Sequence, residues 1–381
     1  MNNGFLCEIE RDFCEHVTKE GGFINAHTHL DRANTNGIEY WRHYSPTFDP
    51  LSAAGLPLSV KQELVGELHK GKAYTFEDLI ERMGKELQRQ FDLGHTTVNS
   101  LVDATPDLKK YHGDHLVAVR AALKLKQEFQ LKGLTLNVFA LPIFGFKSDS
   151  DDLISREQVL QEAAELCDGI GGLPEKDHKF GSNGYDQHLK IIISLAKSLN
   201  KPVQIHVDQA NLPSEEGTER LIQAVHWLSA YNLKDSKDPM VWAVHSISPA
   251  CYDEARFKKM VRAMVDNNIG LISCPSAALG MRQIRSVVSP VHNSIQRLLE
   301  LMEAGVRVMI GTDNIQDVFM PFGHGRVLSE IFNLAGEAIR FYQTSIWLKI
   351  ATGKRLNNMD KKVIRDAIRD NQHAWEEAVQ S

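Results

Sequence analysis

Cysteine is scarce and unpatterned. The 381 residues hold five, at Cys7, Cys14, Cys167, Cys251 and Cys274. The count is odd and no pair has Cys-x-x-Cys spacing, which excludes a disulfide framework and the common zinc or redox cysteine motifs. Reduced thiols in a cytoplasmic protein are the simplest reading. Long hydrophobic runs are missing too. The longest candidate is broken by Lys190 and Lys197, so no membrane span is expected. The first twenty residues are acidic and polar, so no signal peptide is expected either. Positive charge is not in excess: 43 Lys and Arg stand against 49 Asp and Glu, a net charge of −6. Such a balance argues against a nucleic-acid or membrane-surface partner. It leaves a small-molecule substrate as the expected partner and is compatible with a homo-oligomer. No Gly-x-Gly-x-x-Gly follows the first apolar run, which removes support for a dinucleotide site.

What is present is alternation. Short apolar or β-branched runs alternate with longer segments of helical period. Strand patterns read at 22–30, 96–102, 134–143, 169–173, 202–207, 240–246, 269–274 and 306–311. Between them lie helical stretches. One is marked by the capping-box spacing of Ser59 and Gln62, another by Ser155 and Gln158. A third starts at Thr75, a fourth at Pro249, and a fifth spans His292 to Ala304. Eight strand and helix units in about 300 residues predict an α/β fold, a closed (β/α)8 TIM-type barrel. An open doubly wound sheet is the structural alternative. Residues 1–21 read as a lead segment, 22–345 as the barrel and 346–381 as a charged, helical tail.

The chemistry-bearing residues close the apolar runs. His27 and His29 lie two apart, so a strand points both to one face. His206 ends the fifth run (QIHVDQ), His245 the sixth (WAVHS), and Asp313 follows the eighth (MIGTDN). In a barrel the carboxyl ends of the strands converge on one mouth, where active sites are built. Three histidines and one carboxylate suit Zn²⁺ or Fe²⁺ better than Mg²⁺ or Ca²⁺, which prefer all-oxygen shells. The competing reading is a set of polar residues that merely close strands at the wet end. The remaining histidines, among them His69, His95 and His188, show no shared pattern and read as exposed or locally hydrogen-bonded.

With those motifs in view, the chain resembles the amidohydrolase superfamily, in its cytosine deaminase and N-isopropylammelide hydrolase branch. FINAHTHLDR is similar to the first-strand motif, HVDQ to the fifth, HS to the sixth, and GTDNIQDVFMPFG to the eighth and its loop. The resemblance implies one divalent metal, Zn²⁺ or Fe²⁺, held by His27, His29, His206 and Asp313, with His245 polarising substrate or orienting water. No lysine on the fourth strand is placed to bridge a second metal. Three departures stand out. Gln209 occupies the place of a proton-shuttling glutamate, Ile143 that of a pyrimidine-reading glutamine, and only Asp103 survives of the Arg-x-His-x-Asp pattern near strand two. Cytosine itself is therefore a poor match. Arg32 and Asn314 fit the ammelide-hydrolase side of the branch. The flanking β-sandwich of such relatives reads as reduced or absent.

The expected activity is cleavage of a C–N bond by metal-activated water, with Asp313 and His245 catalytic. An amino-substituted N-heterocycle is the expected substrate class. Arg32, Asp208, Gln209 and Asn314 are the expected substrate contacts. Arg32 could equally fix its loop by a salt bridge, and Asp208 could orient His206. Two other functions stay open: an amidase or cyclic-imide hydrolase, and a metal-binding barrel without turnover that acts as a binding protein.

Overall fold

The computed structural model describes residues 7–146, 155–178, 181–228, 238–280 and 295–380. Eight strands run in chain order: β1 (Phe23–Thr28), β2 (His95–Asp103), β3 (Thr135–Leu141), β4 (Gly169–Gly172), β5 (Val203–Val207), β6 (Val241–His245), β7 (Ile269–Ser273) and β8 (Val308–Ile310). All neighbours pair in parallel. A parallel bridge from Thr28 to Asp313 closes the ring. At that seam the His27 carbonyl accepts hydrogen bonds from the amides of Thr312 and Asp313, both at 3.0 Å. The approach is close enough that a Cβ on Gly311 would stand 2.7 Å from the His27 Cβ. The expected (β/α)8 barrel is what the chain forms. Among the described residues this is the only sheet, so no flanking sandwich accompanies it.

The strands form where β-branched and apolar residues run together. VQIHV, VWAVH and IGLIS are buried at every position, as parallel strands covered on both faces require. β4 is the exception, since its sequence is GIGG. It reads weakly because the space is filled from elsewhere: a Cβ on Gly171 would sit 2.7 Å from the Leu101 side chain.

The helices ring the barrel: α1 (Glu8–Lys19), α2 (Leu58–Lys70), α3 (Phe76–Asp92), α4 (Val117–Gln130), α5 (Arg156–Leu166), α6 (Ser182–Leu199), α7 (Gly217–Leu228), α8 (Glu254–Asp266), α9 (Leu298–Ala304), α10 (Thr344–Ala351) and α11 (Asn358–Gln380). α3 shows why they form. The Thr75 hydroxyl caps it by accepting from the Asp78 amide, and Leu79, Met83 and Leu87 bury one face, the stripe expected of a helix lying on a sheet. The Ser155–Gln158 capping box is formed on α5. The Ser59–Gln62 box is not. α2 begins a residue earlier, with Pro57 as its N-cap and no side-chain cap. The helix expected from Pro249 is also corrected. Residues Ser248–Cys251 make a short 3-10 turn, and α8 starts only where Asp253 caps the Arg256 amide. His292 lies outside the described residues; the helix expected there is seen as α9. Within the lead segment, α1 sets Phe13 edge-on to Phe332 at 4.7 Å, beside Phe23 at the start of β1.

Candidate metal centre and its cavity

The strand ends bring His27, His29, His206, His245 and Asp313 together. All five side chains are buried. Ring centroids lie 5.0 Å apart for His27 and His29, 4.9 Å for His27 and His206, and 5.4 Å for both His29–His206 and His206–His245. Asp313 Oδ1 is 3.7 Å from His27 Nε2 and 3.4 Å from His29 Nε2, and Oδ2 is 3.8 Å from His245 Nε2. Donors about 2.0–2.1 Å from a tetrahedral zinc ion stand about 3.4 Å from one another, so the spacing suits a single cation. Two overlapping triads, His27–His29–His206 and His27–His245–Asp313, have ligand atoms mutually within 4.8 Å.

The tautomers of two of these histidines follow from their partners. Gln204 Nε2 donates to the Ala26 carbonyl at 3.0 Å, which turns the amide oxygen toward His27. His27 Nδ1 then donates to that oxygen at 2.7 Å. His206 Nδ1 donates to the Gly172 carbonyl, an acceptor only, at 3.0 Å. In both rings the proton sits on Nδ1, which leaves the Nε2 lone pair for a ligand bond. His27 Nε2, His29 Nδ1 and His245 Nδ1 are buried with no hydrogen-bond partner. Leaving such atoms unpaired costs about 1–3 kcal/mol each.

Burial drives the electrostatics. It pushes His29 well below its usual value, helped by the Arg32 charge, and His206 likewise, helped by His27 and His245. His245 falls to about 4 by burial against the opposing charge of Asp313. Burial alone would raise the Asp313 carboxyl; the neighbouring imidazoles of His27, His245 and His206 outweigh it and hold the group well below the carboxylate range. Neutral imidazoles around an ionised carboxylate are the protonation states a metal demands. His245 and Asp313 also adopt positive φ, 72° and 55°. These are uncommon conformations that gather at functional sites.

Above this floor lies a cavity with about 70 Å³ open to the centres of water molecules. At roughly 10–15 Å³ per water, that is space for a few waters or one small ring. His29, His206, His245, Asp313, Arg32, Asn314 and Gln209 line it, with Leu141, Ile143, Leu173, Phe319 and Met320 as apolar walls. Arg32 points NH1 at Asp103 Oδ1 (3.4 Å) and NH2 at Asn314 Oδ1 (3.5 Å), and its guanidinium carbon sits 5.4 Å from the Phe319 ring centroid. Asn314 Nδ2 donates to Asp313 Oδ1 at 3.0 Å.

Asp208, expected at the substrate or behind His206, is elsewhere. Its carboxylate accepts from the amides of Gly217 and Thr218, at 2.6 and 2.8 Å, and from the Thr218 hydroxyl. It is spent on the first turn of α7, where unpaired amides attract a carboxylate, and it does not line the cavity. Asp103, the one survivor of the strand-two pattern, is the centre of a buried network. His69 Nε2 and the Tyr74 hydroxyl donate to its Oδ2 at 3.0 and 2.8 Å, and His69 Nδ1 donates to Asp107 at 2.9 Å. Asp31 accepts from the Asp103 amide and from Tyr74. Sequence reading missed His69, Lys61 and Gln62 on α2, the last two lining the cavity. In sequence they are polar positions on an amphipathic helix. It also missed Asp317, whose Oδ1 accepts from the amides of Phe319 and Met320 at 2.9 Å each and folds that loop over the cavity. A short-turn aspartate in GTDNIQDVFMPFG was the available signal.

A closed parallel barrel with clustered imidazoles at the carboxyl ends of its strands defines a barrel enzyme of the metal-site type. The chain belongs to the amidohydrolase family, whose model matches residues 21–364. It is a metal-dependent hydrolase of C–N bonds. An uncharacterised protein of Haemophilus influenzae is 25% identical over 281 residues, covering 74% of this chain and 90% of that protein. N-isopropylammelide isopropyl amidohydrolase of a Pseudomonas species is 22% identical over 310 residues, 80% of this chain and 65% of that enzyme. The crystal structure of 5-methylcytosine deaminase from Klebsiella pneumoniae liganded with phosphonocytosine superposes with a TM-score of 0.70 at 23% identity, covering 87% of this chain and 73% of that one. The resemblance to that branch therefore stands. No helix among the described residues is long and apolar enough to cross a membrane.

Proposed function

We propose that the chain deaminates a small amino-substituted N-heterocycle other than cytosine, with one Zn²⁺ or Fe²⁺ held by His27, His29, His206 and Asp313. The observation that carries this reading is the set of buried imidazoles gathered around the ionised Asp313, with the Nε2 atoms of His29 and His27 at 3.4 and 3.7 Å from its Oδ1, under a ring-sized cavity. A cation bound there would polarise water so that it attacks near neutral pH.

The protein groups divide the remaining work. Asp313, anionic and at the cavity floor, takes the proton of the attacking water and returns it to the departing nitrogen. Asn314 Nδ2, bonded to Asp313 Oδ1, keeps that carboxylate oriented. His245 Nδ1 or Nε2 donates to the atom that gains charge at the attacked carbon. Arg32 and Gln209 hold the ring from either side, and the apolar walls exclude bulk water. The names of the two relatives, a deaminase and an amino-group hydrolase on nitrogen-rich rings, support the substrate class.

The substitution Gln209, which cannot titrate, favours a second reading: hydrolysis of a cyclic amide or imide, where no ring nitrogen needs a proton from that wall. Loss of turnover altogether, leaving a binding protein, rests on the same substitution. Metal analysis of the purified protein, then ammonia release from amino-triazines, amino-pyrimidines and amides, tests all three. Bound metal with ammonia release is the expected result. A new carboxylate without ammonia selects ring opening, and metal without any turnover overturns the enzyme reading.

A further inference from the structure

The cavity has two polar ends, and packing has set the hydrogen-bonding sense of each. At one end Gln209 Nε2 donates to Glu175 Oε2 at 3.0 Å. Glu175 follows β4, and Gln209 follows β5. The bond uses one of the two N–H groups of the amide and turns Nε2 toward Glu175, which leaves Oε1 as the unengaged acceptor of this wall. A backbone hydrogen bond from Gln209 ties the same carboxyl a second time. Glu175 Oε1 is buried without a partner. A half-satisfied interior carboxyl is destabilising; its visible service is to hold this amide. At the other end is Arg32, which can only donate. Its Nε–H is buried without a partner.

We propose that the cavity selects a small flat ring that offers an N–H to Gln209 and an oxygen to Arg32, and that Glu175 is the positioning residue that sets this polarity. The ligand class is the cyclic ureas, imides and amino-oxo N-heterocycles, bare of substituents on the ring nitrogen that faces Gln209. With the amide reversed, the wall would donate and such rings would be rejected. The proposal rests on the reading of this cavity as the substrate site, and it narrows that reading to one orientation of the ring.

The test is equilibrium binding, not turnover, on the metal-loaded full chain. Uracil, hydantoin and cyanurate are each compared with their fully N-methylated counterparts by calorimetry or competition. The unsubstituted rings are expected to bind about tenfold tighter, the scale of one hydrogen bond. In Gln209→Leu that preference falls below about threefold, and in Glu175→Leu it falls likewise as the amide loses its anchor. Gln209→Glu, which keeps an acceptor on the wall, retains the preference. So does Glu175→Gln, which keeps an acceptor for the amide and guards against a folding defect in the leucine variant. Equal binding of methylated rings, binding by none of the three bare rings at millimolar concentration, or a preference untouched in Gln209→Leu overturns the proposal. Ring preference without ammonia release would instead sink the deaminase reading alone.

Discussion

Two buried clusters at the barrel mouth use the same residue types and are finished differently. The strand-end cluster of His27, His29, His206, His245 and Asp313 leaves imidazole nitrogens without partners. Next to it, His69 lies between Asp103 and Asp107, and Asp103 also meets Tyr74 and Arg32. There every histidine nitrogen has a carboxylate, and the charges alternate. The electrostatics diverge accordingly. Burial lowers His245 to about 4, whereas the two carboxylates overcome burial and raise His69 to about 9. Histidine in a protein interior thus has two stable endings: neutral with a lone pair kept for a cation, or protonated and clamped between anions. The first cluster keeps its imidazole nitrogens bare. The second is a self-contained brace under Arg32.

The largest effect that would break this contrast is at the open cluster. Asp313→Asn or His27→Ala should lower kcat/KM at least about a thousandfold, about 4 kcal/mol of transition-state stabilisation, with bound metal lost in parallel by elemental analysis. If the metal stays and activity survives, the open cluster is not the centre. The brace should respond the opposite way. Asp103→Ala removes the carboxylate shared by two buried cations, His69 and Arg32, and should destabilise the fold by about 3–5 kcal/mol in urea unfolding, with metal content per folded molecule kept. Metal loss in step with the stability change would merge the two clusters into one. The smallest effect sharpens the comparison through pH. His69 has a folded pKa of about 9 against the usual 6.5 of a free imidazole. Its folded form holds the proton more tightly, so its stabilisation is complete below about pH 6.5 and fades as pH rises through about 9. Unfolding free energy should fall across that window more steeply in the wild type than in His69→Gln. Parallel pH profiles would show that His69 is not the bracing cation.

Much of this was legible before the structure. The eight apolar runs, the histidines that close them and the turn after Asp313 are local features, and local features survive in sequence order. The barrel makes them one site only because its strand ends converge. Asp208 shows where that reasoning stops. It stands two residues from His206, yet a positive φ of 53° directs its carboxylate onto the amides that open α7. His69 shows the converse. It reads as an ordinary helix position, and only the packing of α2 against the end of β2 and the short helix Pro106–His112 that follows supplies its two carboxylates.

By itself, then, the sequence determined the barrel and the histidines and aspartate at the ends of its strands, because hydrophobic period and strand-end position are written over a few neighbouring residues. Tertiary structure decided which nitrogens stay bare, which carboxylates are consumed by helix ends, and which way Gln209 turns. Those choices depend on hydrogen-bond partners from distant segments, and no local pattern encodes a partner that arrives from the far side of the fold.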